Sequence, residues 1–189
     1  MKVSGILLAA GAGTRFRAAG GGIKLLAPVA GRPLIERPLQ ALLDAGFDEV
    51  VVVLGSDARE VETRADLSRA RVLVHARWED GMASSLVAAL ATLPVDCEAV
   101  VVALGDAPAL SADAVRRVAA RIAVGDSALV RARYTSGPAH PVAIHRSLWS
   151  RLPQTGEDGA RALGVTPVDV DCSDLDPPGD ADTPAALDV

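Results

Sequence analysis

The sequence is poor in cysteine, histidine and aromatic residues. Its 189 residues include two cysteines and three histidines, and aromatic side chains make up only 3% of the chain. Cys97 and Cys172 are far apart and belong to no Cys-x-x-Cys pattern, so the sequence indicates neither a disulfide framework nor a zinc site. The histidines show no metal-ligand spacing. A protein with so few, unpatterned cysteines is expected in the reducing cytoplasm.

Long hydrophobic runs and blocks of one charge are also absent. No stretch approaches a membrane-spanning helix, and the apolar run near the start is interrupted by Gly11 and Arg15 too early for a signal peptide. Acidic and basic residues are interspersed and give a formal net charge of -5, which argues against a nucleic-acid-binding surface. We therefore expect a soluble protein that binds neither membranes nor nucleic acids.

Hydrophobic residues, which make up 50% of the chain, are arranged in short runs. Buried strands are predicted at 3–9, 49–54 and 99–104, and they alternate with helical segments such as 112–123. This alternation predicts an α/β fold in three layers, with a doubly wound, mostly parallel, Rossmann-like sheet. Because no linker or repeat divides the chain, residues 1–189 are expected to form a single domain.

Two features of the second half are predicted from local composition. The segment 136–141 contains one glycine and two prolines, and it is interpreted as a rigid turn before a short strand at 142–145. A late strand is expected at 168–170.

Glycines follow the first strand, in the stretch Gly11-Ala12-Gly13-Thr14-Arg15. Successive backbone N–H groups in such a turn can cradle an anion. Arg15 and Lys24 add a forked cation and a mobile one, a combination suited to a polyphosphate. We interpret this stretch as a nucleoside triphosphate site, and a tight turn that merely needs glycine remains the alternative for the glycines alone.

Two commoner glycine motifs do not fit. The dinucleotide fingerprint needs a glycine where this chain has Phe16, and the P-loop needs Gly-Lys-Ser/Thr where this chain has Ile23-Lys24-Leu25.

The strand at 99–104 ends in Gly105-Asp106-Ala107-Pro108. Ligands of open α/β sheets bind at the carboxyl ends of the strands, and Mg2+ prefers one or two carboxylates together with substrate phosphate oxygens. Asp106 is therefore a candidate metal ligand. The alternative is a helix cap, but Ser111 and Asp113 lie closer to the next helix and suit that role better.

These motifs, in this order, resemble the MobA-like NTP transferase family, in particular the nucleotidyltransferases that attach a nucleotide to the phosphate of molybdopterin. The likeness is carried by the opening Leu-x-x-Gly-x-Gly-x-Arg and its Lys-Leu, by Gly-Met-x-Ser-Ser-Leu at 81–86, by Leu-Gly-Asp-x-Pro at 104–108, by the Gly-Asp-x-Gly-Ala-Arg-like segment at 156–161, and by Asp-x-Asp-Thr-Pro at 180–184. One departure is plain, since the segment between Arg15 and Lys24 is longer than the pattern expects.

The resemblance implies roles for particular residues. Catalysis is assigned to Arg15, Lys24 and Asp106, and Mg2+ to Asp106 and Asp180. Apart from the resemblance, Asp180 and Asp182 are expected to point to opposite faces of an extended segment, so that at most one of them meets the metal. Asp180 is favoured, with Asp182 capping a terminal helix. The implied nucleotide contacts are Leu8, Ala9, Ala10, Gly11, Ala12, Gly13, Thr14, Arg15, Lys24, Gly81, Met82, Ser84 and Ser85. The implied acceptor contacts are His140, Pro141, Gly159 and Arg161.

Some of these assignments have ordinary structural alternatives. The two serines at 84–85 also suit simple capping of a helix. His140 is as well explained by a turn histidine bonded to the backbone as by a substrate contact.

The implied reaction is the transfer of CMP from CTP to the phosphate of molybdopterin, with Mg2+ as cofactor and pyrophosphate as product. The apo-molybdoenzyme or its chaperone is the implied protein partner. Leu8-Ala9-Ala10-Gly11 matches the cytosine-specific members, whereas guanine-specific members have Leu-Ala-Gly-Gly.

Other functions remain open. The donor could be GTP, or the acceptor could be a sugar phosphate, a polyol phosphate or another small phosphate. The chain could also be a nucleotide-binding chaperone or regulatory module without turnover. A nicotinamide oxidoreductase is disfavoured by Phe16 and by the lack of an acidic residue at the end of the second strand, before Gly55.

Overall fold

The secondary structure follows the predicted alternation closely. We describe residues 1–187 from a computed structural model. The strands are β1 (Val3–Ala9), β2 (Pro28–Val29), β3 (Arg32–Pro33), β4 (Val50–Leu54), β5 (Arg71–Val74), β6 (Ala99–Leu104), β7 (Leu129–Tyr134), β8 (Gly137–His145) and β9 (Val168–Asp171). The α-helices are α1 (Thr14–Ala18), α2 (Glu36–Asp44), α3 (Ala58–Arg64), α4 (Met82–Leu90) and α5 (Ala112–Ala123). Short 3-10 helices span Lys24–Leu26, Trp78–Asp80, Arg146–Arg151, Gly159–Leu163 and Pro184–Leu187.

Seven of the strands form one sheet, in the order β5-β4-β1-β6-β8-β7-β9. The strands β5, β4, β1 and β6 are mutually parallel, and β9 is parallel to β7. Only β8 runs against its two neighbours, β6 and β7, within the described part of the chain. The sheet is therefore mostly parallel.

Both faces of the sheet are covered, because alternate residues of each strand point to opposite sides. On one side, Leu7 and Ala9 of β1 share a cluster with buried residues of α2, α3 and α5. On the other, Ile6 and Leu8 pack with α4 and the 3-10 helix Arg146–Arg151. The predicted three-layer, doubly wound α/β fold is confirmed.

Strand β1 lies at the point where the chain changes direction across the sheet. Its parallel neighbours are β4 on one side and β6 on the other, and the crossovers to these strands leave a crevice beyond its carboxyl end. The loop after Ala9 and the loop after Leu104 therefore open at the same edge of the sheet.

The turn predicted at 136–141 is wrong. Residues 137–141 belong to β8, which forms an antiparallel hairpin with β7. The pairing passes from Arg131 opposite Val142 to Ala132 opposite Ala139, so His140 and Pro141 have no partner on β7 and form a bulge. Proline is accepted there because its missing N–H interrupts no bond of the ladder.

None of the helices within residues 1–187 combines the length and the apolarity needed to cross a bilayer.

The buried strands predict a clear contrast between two identical substitutions. Val52 is 0% exposed in β4, whereas Val95 is 90% exposed. We expect Val52→Ala to lower the free energy of unfolding by about 2–3 kcal/mol, through lost burial and the cavity that remains. Val95→Ala is expected to change it by less than about 0.5 kcal/mol. Urea unfolding measures both, and equal effects would contradict the position of β4 in the core.

Candidate active site

The glycine loop after β1 is shaped by one left-handed residue. Gly13 has φ 59° and precedes α1, a conformation in which a side chain is strained. A Cβ at Gly13 would lie 3.0 Å from the Cβ of Lys24. Glycine therefore lets the side chain of Lys24 pack directly against the loop.

The long segment between Arg15 and Lys24 folds around Phe16. This ring is 3% exposed, and the N–H of Gly21 donates to the carbonyl of Phe16 at 3.0 Å. A Cβ at Gly21 would collide with the ring, so glycine is needed for the chain to pass beside it. Residues 17–20 form an exposed excursion, and Lys24 returns to the loop.

Lys24 lies at the centre of three carboxylates. Its Nζ is 2.6 Å from Asp106 Oδ2, 3.2 Å from Asp182 Oδ1 and 3.4 Å from Asp180 Oδ1. Its side chain is only 10% exposed. The structure thus brings together the residues predicted to grip the triphosphate and those predicted to hold the metal, which we call the Lys24 cluster.

The C-terminal segment reaches this cluster through the backbone. The N–H of Ala181 donates to the carbonyl of Asp106 at 3.1 Å, and Ala181 is 0% exposed. In an extended chain, residues on either side of a buried one share a face. Asp180 and Asp182 therefore both face Lys24, and the expectation that only one carboxylate faces the site is wrong.

Asp182 also contacts the second predicted cation. Arg15 donates to Asp182 Oδ2 at 2.7 Å, with 80% of its side chain exposed. The carboxylate of Asp182 thus bridges Arg15 and Lys24, whereas the sequence-based hypothesis made it the cap of a terminal helix. Arg15 remains free to turn toward an anion, because an exposed ion pair is held weakly.

The charges of the Lys24 cluster shift the pKa values of its members. Burial lowers the pKa of Lys24, but the hydrogen bond and charge of Asp106, with Asp180 and Asp182, raise it more, so its pKa lies above the ordinary value. Burial, and then the neighbouring charge of Asp106, raises the pKa of Asp180. Hydrogen bonds from Arg15 and then Lys24 lower the pKa of Asp182. Lys24 is therefore a cation near neutral pH.

The donor set suits a hard divalent cation. Within residues 1–187, no three carboxylate, imidazole or thiol groups form a ready-made metal site. The carboxylates of Asp106 and Asp180 nevertheless converge on one positive charge, and a pair of carboxylates completed by phosphate oxygens is the arrangement that Mg2+ prefers. The residues fit a metal that arrives with a nucleotide.

A cavity of about 810 Å3 opens in front of the glycine loop. Its wall includes most of the predicted nucleotide contacts, which are Leu8, Ala9, Ala10, Gly11, Ala12, Gly13, Thr14, Arg15, Lys24, Gly81, Met82 and Ser85, together with Asp106 and Asp182. We call it the nucleotide cavity. Ser84 is not in this wall, and its hydroxyl donates to the carbonyl of Gly81 at 2.8 Å.

A second cavity, of about 410 Å3, adjoins the first. Leu8, Met82, Leu104, Glu157 and Arg161 belong to the walls of both. We call it the acceptor cavity. Of the predicted acceptor contacts, His140, Gly159 and Arg161 lie in its wall, whereas the buried Pro141 does not.

Several residues of these walls carry no assignment from the sequence, among them Trp78, Glu79 and Glu157. Trp78 and Glu79 line the nucleotide cavity, and Glu157 lines both cavities. The position of Trp78 and Glu79 just before the Gly-Met-x-Ser-Ser motif could have indicated them. Glu157 is brought in by long-range contacts, since the N–H of Gly156 donates to the carbonyl of Asp80 at 2.7 Å.

A family comparison agrees with this geometry. The model of the MobA-like NTP transferase domain matches residues 5–168. The chain belongs to the MobA-like NTP transferase family. The assignment confirms the resemblance inferred from the motifs, and makes nucleotidyltransferase chemistry the general expectation for this MobA-like chain.

Two curated proteins that are similar to this chain have different names and lengths. Nicotine blue oxidoreductase of Paenarthrobacter nicotinovorans is 38% identical over 192 residues, covering 96% of this chain and 92% of that protein. The bifunctional protein GlmU of Sinorhizobium fredii is 35% identical over 134 residues, covering 70% of this chain. The chain spans only 29% of the length of that GlmU.

Solved structures share the complete MobA-like fold. Rv0371c of Mycobacterium tuberculosis has a TM-score of 0.82 and 29% identity, covering 98% of this chain and 95% of that chain. A manganese complex of Rv0371c has a TM-score of 0.72 and 26% identity, covering 90% of this chain and 89% of that chain. A divalent metal thus accompanies this fold in a similar protein.

The Lys24 cluster predicts that a lysine and a metal ion compete for the same carboxylates. The variant Lys24→Met lacks the ammonium group, so its three carboxylates repel one another. We expect them to bind Mg2+ more tightly than the wild type does in the absence of nucleotide. At about ten times its dissociation constant, Mg2+ would stabilise the variant by about 1.4 kcal/mol, or about 3–6 °C in melting temperature.

Lys2→Met is the matched control, because Lys2 pairs with Asp96 on the surface at 3.0 Å. Thermal unfolding with and without Mg2+ measures all three proteins. The same Mg2+ shift in wild type and Lys24→Met would contradict the competition.

Proposed function

We propose that this chain transfers CMP from CTP to the phosphate of molybdopterin and releases pyrophosphate. The observation that carries the proposal is the pair of adjoining cavities, with Lys24, Asp106 and Asp182 in the wall of the larger one. Two substrates can then meet at the shared wall, where Arg161 supplies a cation from the 3-10 helix Gly159–Leu163.

In this mechanism the chain binds and orients, and it needs no general base. The acceptor phosphate is already ionised near pH 7. One of its oxygens forms a bond to the α-phosphorus of CTP, in line with the bond to the bridging oxygen that breaks. Pyrophosphate leaves with that oxygen. The N–H groups of the glycine loop, with Arg15 and Lys24, stabilise the charge that develops on the triphosphate.

Asp106 and Asp180 would hold Mg2+, which would supply positive charge to stabilise the triphosphate. Lys24, which here contacts the carboxylates, would turn to the phosphates of the nucleotide. Its four-carbon side chain and mobile ammonium group suit such a move.

CTP is favoured over GTP by the wall of the nucleotide cavity. The side chain of Ala10 is part of this wall and is 8% exposed. Trp78 and Met82 belong to the same wall, and a methyl group there leaves less room for a purine than the glycine of the guanine-specific members would.

We place the reaction in the cytoplasm, where the buried free thiols of Cys97 and Cys172 stay reduced. The apo-molybdoenzyme or its chaperone would receive the product there.

Loss of the metal-binding carboxylate tests catalysis. Asp106→Asn keeps the shape of the side chain but removes its charge, and pyrophosphate release from CTP and molybdopterin is expected to fall about a hundredfold or more. Asp126→Asn is the matched control, because Asp126 pairs with Arg121 on the surface. Unchanged turnover in Asp106→Asn would contradict the mechanism.

Removal of one methyl group tests the choice of nucleotide. Ala10→Gly widens the nucleotide cavity, and the ratio of kcat/KM for GTP to that for CTP is expected to rise about tenfold, the scale of one methylene group in a pocket. Ala91→Gly removes the same methyl group at an exposed position outside both cavities and should leave the ratio unchanged. Wild-type turnover with GTP that equals or exceeds that with CTP would overturn the preference for CTP.

A second candidate function comes from the curated relative. Nicotine blue oxidoreductase is similar to 96% of this chain. A redox reaction on a heteroaromatic compound is therefore an alternative. Oxidation of NADH or NADPH with a quinone dye, followed by absorbance, distinguishes the two. Dye reduction that persists in Asp106→Asn, without pyrophosphate release by wild type, would favour the oxidoreductase.

A further inference from the structure

Arg17 is a charged residue that the proposed mechanism does not use. It begins the exposed excursion after Phe16, but its side chain turns back to the glycine loop, where Nε donates to the carbonyl oxygen of Ala12 at 3.1 Å. The same guanidinium group donates through Nη2 to Asp57 Oδ2. Neither Arg17 nor Asp57 belongs to the wall of the nucleotide cavity or of the acceptor cavity, so the pair supports the loop from outside both.

Asp57 belongs to the loop that follows β4, which is itself joined to the glycine loop. The N–H of Ser56 donates to the carbonyl of Ala10 at 3.2 Å. Asp57 is the N-cap residue of α3, yet its side chain makes no capping hydrogen bond, so its carboxylate is available to Arg17. The side chain of Asp57 is 20% exposed and that of Arg17 42%. Salt therefore screens this partly buried pair less than a fully exposed one.

The hydrogen bond to Ala12 fixes the direction of the next N–H group. The peptide between Ala12 and Gly13 is trans, and in a trans peptide the C=O and the following N–H point in opposite directions. Since the carbonyl of Ala12 points to Arg17, the N–H of Gly13 points away from it. Gly13 is part of the wall of the nucleotide cavity, and its N–H donates to no group within residues 1–187. This N–H is therefore a free donor for an anion in the cavity.

We propose that Arg17 and Asp57 are positioning residues that hold the N–H of Gly13 toward the phosphates of the bound nucleotide. The proposal rests on the proposed function, because it takes the anion in the cavity to be a triphosphate. The two side chains act on the loop and not on the nucleotide. A loop that is already ordered loses less conformational entropy when the anion binds, so the pair raises the affinity for the triphosphate.

Positioning and a simple charge effect predict opposite results for Asp57→Ala. The variant loses a negative charge near an anion site, which by charge alone would strengthen the binding of a triphosphate. If Asp57 holds Arg17 on Ala12, the same variant instead weakens binding about three- to tenfold, the scale of one hydrogen bond. Isothermal titration calorimetry of the full chain with Mg2+ and α,β-methylene-CTP, a donor analogue that cannot react, measures the dissociation constant.

Asp126→Ala is the matched control, because Asp126 also pairs with an arginine, Arg121, on the surface. Its dissociation constant for the analogue should equal that of wild type. Asp57→Glu keeps the carboxylate and should restore most of the affinity that Asp57→Ala loses. Binding by Asp57→Ala that is as tight as that of wild type, or tighter, would overturn the proposal.

A double-mutant cycle connects the effect to Arg17. Once Arg17→Met has removed the guanidinium group, Asp57→Ala should no longer weaken binding, because the two residues act as a unit. An equal loss of affinity from Asp57→Ala in the wild-type and Arg17→Met backgrounds would show that Asp57 acts independently of Arg17, and would overturn the proposal.

The order of the loop is measured without any ligand, by 15N relaxation. We expect the backbone order parameter of Gly13 to be about 0.85 in wild type, as in rigid backbone, and below about 0.6 in Asp57→Ala. Arg17→Met should lower it in the same way, so the test does not depend on one variant. Equal order parameters in wild type and both variants would contradict the positioning role.

Failure of the proposed function would give a different result. A wild type that does not bind the CTP analogue would contradict nucleotide transfer, whereas the relaxation measurements would still decide whether Arg17 and Asp57 order the loop at Gly13.

Discussion

The site depends on the ion cluster in which the ammonium group of Lys24 lies between the carboxylates of Asp106, Asp180 and Asp182. The members come from three distant parts of the chain, and the contacts of Lys24 to the C-terminal aspartates span 156 and 158 residues. Three carboxylates at one edge of a sheet would repel one another if no cation lay between them. Lys24, together with Arg15 on Asp182, offsets part of this repulsion and so holds the three segments together.

The elements that position this cluster could be predicted because each has a strong local signal. The strand 99–104 and the helix 112–123 were predicted with the bounds that the structure has, since a continuous apolar run and a clear helical period leave little choice. The full length of strand β8, at 137–145, was not predicted. Its prolines are typical of a turn, and a bulge that accepts proline depends on strand pairing, which no local pattern reveals.

The residues of the site likewise divide into those with a local signal in the sequence and those placed by long-range contacts. The glycine loop, Lys24 and Asp106 could be found because backbone access and charge mark them in sequence. Glu157 belongs to the 156–161 motif, but its place in the nucleotide cavity could not be predicted. A loop more than seventy residues from Gly81 brings it there, and a Cβ at Gly81 would lie 2.6 Å from the carbonyl oxygen of Gly156. Ser84, which the motif assigned to the nucleotide, instead bonds to backbone carbonyl groups.

The excursion between Arg15 and Lys24 has a further consequence for how such proteins can be recognised. One end is anchored by the Phe16 ring and the other by the packing of Lys24 against Gly13, while residues 17–20 between them are exposed. Insertions or deletions in this excursion would extend into solvent and leave the arginine and the lysine in place. A search pattern that fixes the spacing of these two cations would overlook such sequences, and one that scores the two halves of the motif separately would retain them.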